Sequence, residues 1–286
     1  MLFIGVLSAT GWVFGYIYSD TGYLPLVLAL LISLGMTLIS WFGGDKLALT
    51  LHGAKELTNR DSFPTLWHTI ENLAITAGIP MPRIYIIVDE SMNAFATGRD
   101  PSHASVAVTT GLLEHLEKTE LEGVLAHELS HIRNLDIRLM TVVIVLVGAI
   151  TILGDLFLRM SFFGGKGRRS NRDEGGGVLM FVGFLFLILA PIMGKLIKLA
   201  ISRKREYLAD ASGALLTRYP EGLARALEKI KQSGIPLQRT SSATNHLWIS
   251  EPSATGMAKK MSALFSTHPP IDDRIAKLRS LPYVQS

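Results

Sequence analysis

Four long apolar runs dominate the pattern of hydrophobic and polar positions along the chain. Residues 2–18, 23–42 and 139–154 contain no charged side chain, and a fourth run, residues 178–194, fades into a basic segment near Ile201. Because a membrane-spanning helix needs roughly 20 apolar residues, the runs predict four transmembrane helices. A signal peptide is the alternative for the first run, although no basic residue precedes it. A hairpin buried in a large soluble core is the alternative for the last two.

Two shorter patterns before residue 138 are typical of a soluble domain. Residues 63–77 have an amphipathic period and end at Gly78, ahead of two prolines, which predicts a helix. Residues 83–88 and 105–109 are rich in β-branched side chains and predict a small sheet or a hairpin.

Further helices and loops are predicted from composition and periodicity. The additional helices cover residues 112–139, 201–219 and 272–281. Thr119 and Glu122 offer a capping box for the first of these helices. Loops are predicted for residues 161–177 and 237–256, which lack a clear period.

The composition supports a membrane protein and limits its metal chemistry. Charged residues make up 18% of the chain, against about 25% in soluble domains. The chain has no cysteine, so a metal site needs histidine and carboxylate ligands. The net charge of +4 suits an anionic membrane surface. Arg168 and Arg169 have no interleaved aromatic residues, so nucleic acid is not a predicted partner.

A short motif, His127-Glu128-Leu129-Ser130-His131, lies within a predicted helix. A spacing of four residues puts His127 and His131 on one helical face, where both imidazoles reach a single metal ion. Zinc accepts such nitrogen ligands and, in catalytic sites, leaves one position to water. Glu128 can activate that water as a general base. The alternative is a chance match of three specified positions.

A catalytic zinc site usually has a third protein ligand. A metzincin would have histidine at position 137, which here is Ile137. Glu206 is the best candidate, with Asp210 on the same helical face to orient a ligand histidine. A hairpin of the third and fourth runs would return His131 and Glu206 to one membrane face, each on the order of 10 Å from the bilayer. The alternative for Glu206 is an ion pair on a solvated helix surface.

Four segments together resemble the HtpX family of membrane zinc metalloproteases, distant relatives of the CAAX prenyl endopeptidases. The segments are His127-Glu128-Leu129-Ser130-His131, Glu206-Tyr207-Leu208-Ala209-Asp210, Asn93-Ala94-Phe95-Ala96-Thr97-Gly98 and Thr267-His268-Pro269. The resemblance extends over essentially the whole chain, including the order of runs and motifs.

The resemblance implies an activity, a site and a location. One zinc ion would be held by His127, His131 and Glu206, with Glu128 catalytic. The enzyme would lie in the inner membrane, with its active site facing the cytoplasm, and would degrade damaged or misfolded membrane proteins in stress response and quality control.

The resemblance also implies that residues 93–98 form an edge strand that holds the substrate, with Asn93, Ala94, Phe95 and Ala96 as binding residues. An exposed strand edge binds an extended peptide through main-chain hydrogen bonds. An ordinary turn is the alternative, since asparagine and glycine favour turns.

His268 is a further candidate, because it precedes Pro269 and Pro270 and follows a predicted loop. In the cleft it would either ligate zinc as a gate or stabilise the oxyanion. Tyr207 and Arg274 are weaker candidates for the same task.

The predicted fold is a mainly α-helical integral membrane protein with a zincin-like α+β catalytic domain and a small sheet at the membrane surface. Transmembrane hairpins are predicted for residues 1–42 and 139–201, the second including the loop 159–177. The catalytic domain comprises residues 43–138 and 202–286. Nine Lys and Arg residues flank the runs on the catalytic side, against five in the loop, which favours a cytoplasmic catalytic side.

The favoured function is a zinc endopeptidase in which Glu128 takes a proton from water and passes it to the leaving amine. Its predicted partners are protein or peptide substrates, above all membrane proteins, and the lipid bilayer. A transporter or scaffold with a structural metal is one alternative, but a structural site would be closed by a fourth protein ligand. A prenyl-protein or lipid-processing enzyme is the other.

Overall fold

The computed structural model describes residues 24–143, 203–238, 247–249 and 269–281. The first and fourth apolar runs, most of the third, the loop 159–177 and His268 lie outside these residues. The chain divides into two compact units, residues 1–43 with 143–197 and residues 44–142 with 198–286. The second unit contains most of the described residues.

The second apolar run is helical. Helix α1, Leu24–Leu51, continues past the predicted end at residue 42. Several of its large apolar side chains are exposed, among them Leu31, Ile39 and Phe42. Among the described helices, none combines the length and apolar character needed to cross a membrane. The four transmembrane helices therefore stay a prediction.

A four-stranded mixed sheet in the order β1-β2-β4-β3 confirms the predicted small sheet. Its strands are β1 Lys55–Glu56, β2 Arg83–Ile87, β3 Ala94–Gly98 and β4 Ala104–Thr109. Strands β2 and β4 are parallel, whereas β1 and β3 pair antiparallel with β2 and β4. Every residue of β4 is buried, as expected for a central strand covered on both faces. Strand β3 forms one edge of the sheet.

Helix α2, Pro64–Ala77, confirms the helix predicted for residues 63–77. It has proline in its first turn, where no backbone donor is lost, and it ends at Gly78 in the left-handed conformation. Leu66, Ile70 and Leu73 form its buried face and belong to the main hydrophobic core.

The prediction of a single helix over residues 112–139 is wrong. Helix α3, Thr110–His115, and helix α4, Lys118–Arg133, are separated by extended backbone at residues 116–117. A turn at residues 134–135 then ends α4, and residues 136–143 are again helical.

The predicted capping box of α4 is also wrong, by two positions. The Glu117 side chain accepts a backbone N–H in the first turn, and the Glu120 carboxylate accepts the Glu117 N–H at 2.8 Å. Carboxylates serve here in place of the predicted Thr119 hydroxyl because the helix begins at Lys118, which leaves Thr119 and Glu122 inside it.

Three more helices surround α4. They are α5 Arg203–Thr217, α6 Pro220–Ser233 and α7 Ile271–Ser280. Helix α4 contacts α5 and α6, and α7 packs against α6. Helices α5 and α7 agree with the predictions for residues 201–219 and 272–281. Helix α6 was not predicted, although Pro220 at its start and Gly234 after its end are usual helix signals.

The loop predicted for residues 237–256 contains no α-helix or strand in its described part, residues 237–238 and 247–249. Leu237, Leu247, Trp248 and Ile249 are buried. The ring of Trp248 lies edge-on to Phe95 of β3, with centroids 4.8 Å apart. Trp248 and Ile249 therefore contact β3, which a sequence without a clear period does not reveal.

Candidate active site

Helix α4 presents both histidines of the motif to one buried point. The rings of His127 and His131 lie edge to face with centroids 4.7 Å apart, and their Nε2 atoms are 3.2 Å apart. Residues four apart on a helix lie one above the other, so this arrangement follows from their spacing.

Helix α5 brings Glu206 to the same point. Its Oε2 is 3.7 Å from His127 Nε2, and its Oε1 is 3.5 Å from His131 Nε2. One ligand atom from each of the three residues lies within 4.8 Å of the others, so the cluster could hold a metal ion. Glu206 is only 1% exposed, so the alternative of an ion pair on a solvated surface is wrong.

Each histidine binds a carboxylate through its other ring nitrogen. His127 Nδ1 donates to Asp210 Oδ1 at 2.9 Å, and His131 Nδ1 donates to Asp136 Oδ2 at 3.0 Å. In the neutral rings these bonds place the protons on Nδ1 and leave the Nε2 lone pairs facing each other. Two lone pairs and a carboxylate at such distances repel unless a cation lies among them. Imidazole nitrogen and carboxylate oxygen are ligands of zinc, so the residues fit this ion.

The charges around the cluster also favour a cation. Burial lowers the pKa of His131, but the hydrogen bond to Asp136 and the charges of Glu206 and Glu128 outweigh it and raise the pKa to about 9. The surroundings of His131 Nε2 are therefore strongly negative. Burial lowers the pKa of His127 in spite of its bond to Asp210.

Glu128 lies beside the cluster without being one of its three members. Burial raises the pKa of Glu128 to about 7, against the opposing effects of His131 and of the backbone N–H of Ala96 in β3. A carboxyl group whose pKa is near neutrality is suited to accept a proton and return it. The contact with Ala96 also places this group next to the edge strand.

Arg274 of α7 is fully buried behind the cluster. Its Nε and Nη2 donate to the two oxygens of Asp210 at 2.9 and 2.7 Å, and its Nη1 donates to the carbonyl of Ile249 at 3.0 Å. Although burial alone would raise the pKa of Asp210, the charge of Arg274 and the bond to His127 hold it well below its usual range. Arg274 thus fixes Asp210 against His127, rather than presenting all its donors to a substrate.

Asp136 is a site residue that the sequence does not single out. Its carboxylate reaches His131 only because the chain turns back at residues 134–135 after the end of α4. The available signal is Asn134, a residue type that often ends helices. That signal marks a turn, but it does not show where the next side chain lies.

The predicted substrate-binding residues lie at the start of the edge strand, and all of them are buried: Asn93, Ala94, Phe95 and Ala96. Residues 94–98 form a strand, so the alternative of an ordinary turn is wrong. The Ala94 carbonyl accepts the Ile249 N–H at 3.0 Å. At the other end of the strand, Gly98 exchanges hydrogen bonds with the Thr141 hydroxyl. The chain therefore covers part of its own strand edge.

Of the two further candidates for a role in the cleft, His268 and Tyr207, the structure describes only Tyr207. His268 lies outside the described residues, so its role as a gate or oxyanion donor stays a prediction. The ring of Tyr207 is covered by Lys277, whose Nζ is 3.2 Å from the ring centroid. Tyr207 thus contacts α7 through Lys277.

Comparison with known proteins identifies the family. The chain matches Peptidase family M48 over residues 61–281, a range that contains the whole cluster. The chain belongs to peptidase family M48. This membership makes it a metalloprotease of the hydrolase class.

Relatives that match over nearly the full length of the chain show which type of M48 peptidase it is. A protease HtpX homolog of Tropheryma whipplei (strain Twist) is 47% identical over 283 residues, covering 98% of this chain and 94% of the relative. A protease HtpX homolog of Dictyoglomus turgidum is 47% identical over 264 residues, covering 92% and 84%. The chain is therefore an HtpX-type M48 metalloprotease, which confirms the resemblance.

A solved structure supports the fold of this M48 peptidase. The crystal structure of S. mikatae Ste24p matches with a TM-score of 0.52 and 21% sequence identity, covering 96% of this chain. The chain spans 61% of the length of that protein. At this identity the similarity shows the fold alone, a mainly helical one with a small mixed sheet.

Proposed function

We propose that the chain is a zinc-dependent endopeptidase in which His127, His131 and Glu206 hold the metal and Glu128 is the general base. The observation that carries this proposal is the convergence of two Nε2 atoms and a carboxylate, with each Nδ1 bound to a further carboxylate. When bound, zinc supplies a Lewis acid that polarises a peptide carbonyl and lowers the pKa of water.

Side chains of the protein transfer the proton during peptide hydrolysis and hold the metal ligands in position. Glu128 takes a proton from the attacking water and delivers it to the leaving amine, for which its pKa of about 7 is suitable. Asp210 holds the imidazole of His127 in the tautomer that leaves its Nε2 available. Arg274 balances the charge of Asp210 inside the domain.

The peptide substrate pairs along Asn93 and along Ala94, Phe95 and Ala96 of strand β3, through main-chain groups that face away from β4, such as the Ala94 carbonyl. This pairing is supported by the position of β3 at the edge of the sheet and by the contact of Ala96 with Glu128. Because Ile249 already binds the Ala94 carbonyl, an incoming peptide has to displace it. Main-chain pairing makes few demands on side chains, which suits an enzyme with varied substrates.

The membrane location and the substrates are part of the proposal. Four apolar runs and the distribution of basic residues support a multi-pass protein of the inner membrane with a cytoplasmic catalytic domain. The proposed boundaries are residues 1–42 and 139–201 for the hairpins and 43–138 with 202–286 for the catalytic domain. Similarity to HtpX proteases supports a role in degrading damaged or misfolded membrane proteins, and His268 remains a candidate gate or oxyanion donor.

The composition of the site argues against a purely structural metal. Structural zinc sites are closed by four protein ligands, whereas the cluster found in the described part of the chain has three. A structural site would also leave Glu128 without a function. The similarity to Ste24p concerns the fold, so it does not favour prenyl-protein processing.

Chelation and one substitution test the proposed function. The purified full-length chain should cleave casein, lose this activity with a chelator and regain it with zinc. Glu128→Gln should retain zinc but cleave about 10²- to 10⁴-fold more slowly, because an amide cannot accept the proton. Glu114→Gln, at an exposed position of α3, is the matched control. Cleavage that resists chelation, or full activity of Glu128→Gln, would overturn the proposal.

A further inference from the structure

Asp136 lies behind His131 in the same way that Asp210 lies behind His127. Each aspartate accepts a hydrogen bond from the Nδ1 of one motif histidine, at 3.0 Å for Asp136 and 2.9 Å for Asp210. Each aspartate is also paired with an arginine, Asp210 with Arg274 and Asp136 with Arg205. The two histidines are therefore supported by two separate carboxylate and guanidinium pairs.

The chain adopts an uncommon backbone conformation to place Asp136. Leu135 has a φ of +61°, a left-handed conformation that a bulky residue rarely adopts. The N–H of Leu135 donates to the Ile132 carbonyl at 3.1 Å, which closes the turn after α4. The next residue, Asp136, is thereby directed back to the last turn of α4, where its side chain is 3% exposed.

The two oxygens of Asp136 have different partners. Oδ2 accepts from His131 Nδ1 at 3.0 Å, whereas Oδ1 accepts from Arg205 Nη1. Arg205 directly precedes Glu206 on α5. The bridge formed by Asp136 and Arg205 therefore connects the turn after α4 to the first turn of α5. Helix α4 carries the two histidines of the cluster, and α5 carries Glu206.

We infer that Asp136 is a positioning residue for the metal ligand His131, and that Arg205 holds Asp136 while tying α5 to the turn after α4. This inference rests on the proposed zinc function. The carboxylate fixes the plane and tautomer of the His131 ring and makes its Nε2 more basic. The bridge to Arg205 limits how far Glu206 can move away from His131.

Zinc affinity and the visible spectrum of the Co²⁺-substituted protein test this inference without any peptide. Asp136→Asn should weaken zinc binding by about 10- to 100-fold, as for other carboxylates behind ligand histidines, and should shift the Co²⁺ absorption bands. Arg205→Gln should weaken binding by only about two- to fivefold, because its side chain is 38% exposed and solvent screens the pair. Lys204→Gln, an adjacent exposed charge, is the matched control and should match the unmodified chain.

The outcomes separate this inference from the proposed function. A folded Asp136→Asn variant with unchanged zinc affinity and unchanged Co²⁺ spectrum overturns the role of Asp136. Equal affinities of Arg205→Gln and Lys204→Gln overturn the role of Arg205, and this pair decides the matter if Asp136→Asn does not fold. An unmodified chain that binds zinc but cleaves no peptide overturns the peptidase function alone, whereas one that binds no zinc overturns both.

Discussion

Gly213 lies directly against the backbone of His127. A Cβ atom at position 213 would be 3.0 Å from the backbone nitrogen of His127 and 3.2 Å from its Cα. Glu206 is two helical turns before Gly213, on the same face of α5. The absence of a side chain at 213 therefore lets α5 approach α4 closely enough for Glu206 to reach both histidines.

Gly213→Ala should weaken zinc binding and lower stability. The added methyl group has to push α5 away from the α4 backbone, and overpacking of this kind typically costs about 1–3 kcal/mol. Thermal unfolding and chelator competition would measure the two effects. Gly43→Ala is the control, because a Cβ at Gly43 meets nothing within 4 Å. Normal zinc affinity in Gly213→Ala would show that the spacing of the helices does not control the cluster.

Glu206→Gln and Asp210→Asn should have different effects on the metal. Glu206→Gln should lose zinc, since a neutral amide is a poor ligand, and its metal content can be measured after dialysis. Asp210→Asn should retain zinc with an affinity about 10- to 100-fold lower. It should also unfold at a lower temperature, because Arg274 is left with a buried charge that is no longer fully compensated.

Two results for these variants would contradict the predictions. Full zinc content and activity in Glu206→Gln would mean that the third ligand is another residue. Unchanged unfolding of Asp210→Asn would mean that Arg274 finds a different partner.

The sequence predicts the site well where one helix determines geometry. The four-residue spacing in His127-Glu128-Leu129-Ser130-His131 is enough to place two imidazoles on one face, whatever the tertiary structure is. The same spacing relates Glu206 to Asp210 on α5. Periodicity is local, so these relationships can be read from the chain without knowing how the helices pack.

Other parts of the site depend on contacts that periodicity does not contain. Asp136 reaches His131 through a left-handed turn at Leu135, and a leucine gives no sign of this conformation. Arg274 meets Asp210 only because α7 packs near α5. Trp248 is buried against Phe95, and the three apolar residues 247–249 are too few to show a period. Each of these depends on the tertiary fold, which brings distant segments together.

Single cysteines should report the membrane topology. The chain has no native cysteine, so Ser170→Cys and Ser253→Cys each provide one labelling site. With four transmembrane helices and a cytoplasmic catalytic domain, Ser253→Cys should react only from the cytoplasmic face and Ser170→Cys only from the other. An impermeant maleimide applied to intact cells and to inverted vesicles would measure this. Labelling of both positions from one face would contradict the four-helix prediction.

Ile249→Pro should lower KM for peptides and leave kcat unchanged. Proline has no N–H to donate to the Ala94 carbonyl, so the segment that covers the edge of β3 loses its main-chain hydrogen bond to that strand. A hydrogen bond of this kind contributes about 0.5–1.5 kcal/mol, which corresponds to roughly a two- to tenfold change in apparent affinity. The change acts on KM because the covering segment competes with the peptide for the same strand and reduces the fraction of enzyme able to bind it.

The control for this prediction is Ile249→Val, which keeps the N–H and removes a single methylene. It should have the KM of the unmodified chain, so that a fall in KM is assigned to the hydrogen bond and not to packing around Trp248. Zinc content should be equal in all three proteins, since both substitutions keep the carbonyl at position 249 that accepts the hydrogen bond from Arg274. If Ile249→Pro has an unchanged or higher KM while zinc content is normal, peptides do not compete with Ile249 for Ala94. The substrate would then bind elsewhere than on this part of β3, and the assignment of Asn93, Ala94, Phe95 and Ala96 would have to be abandoned.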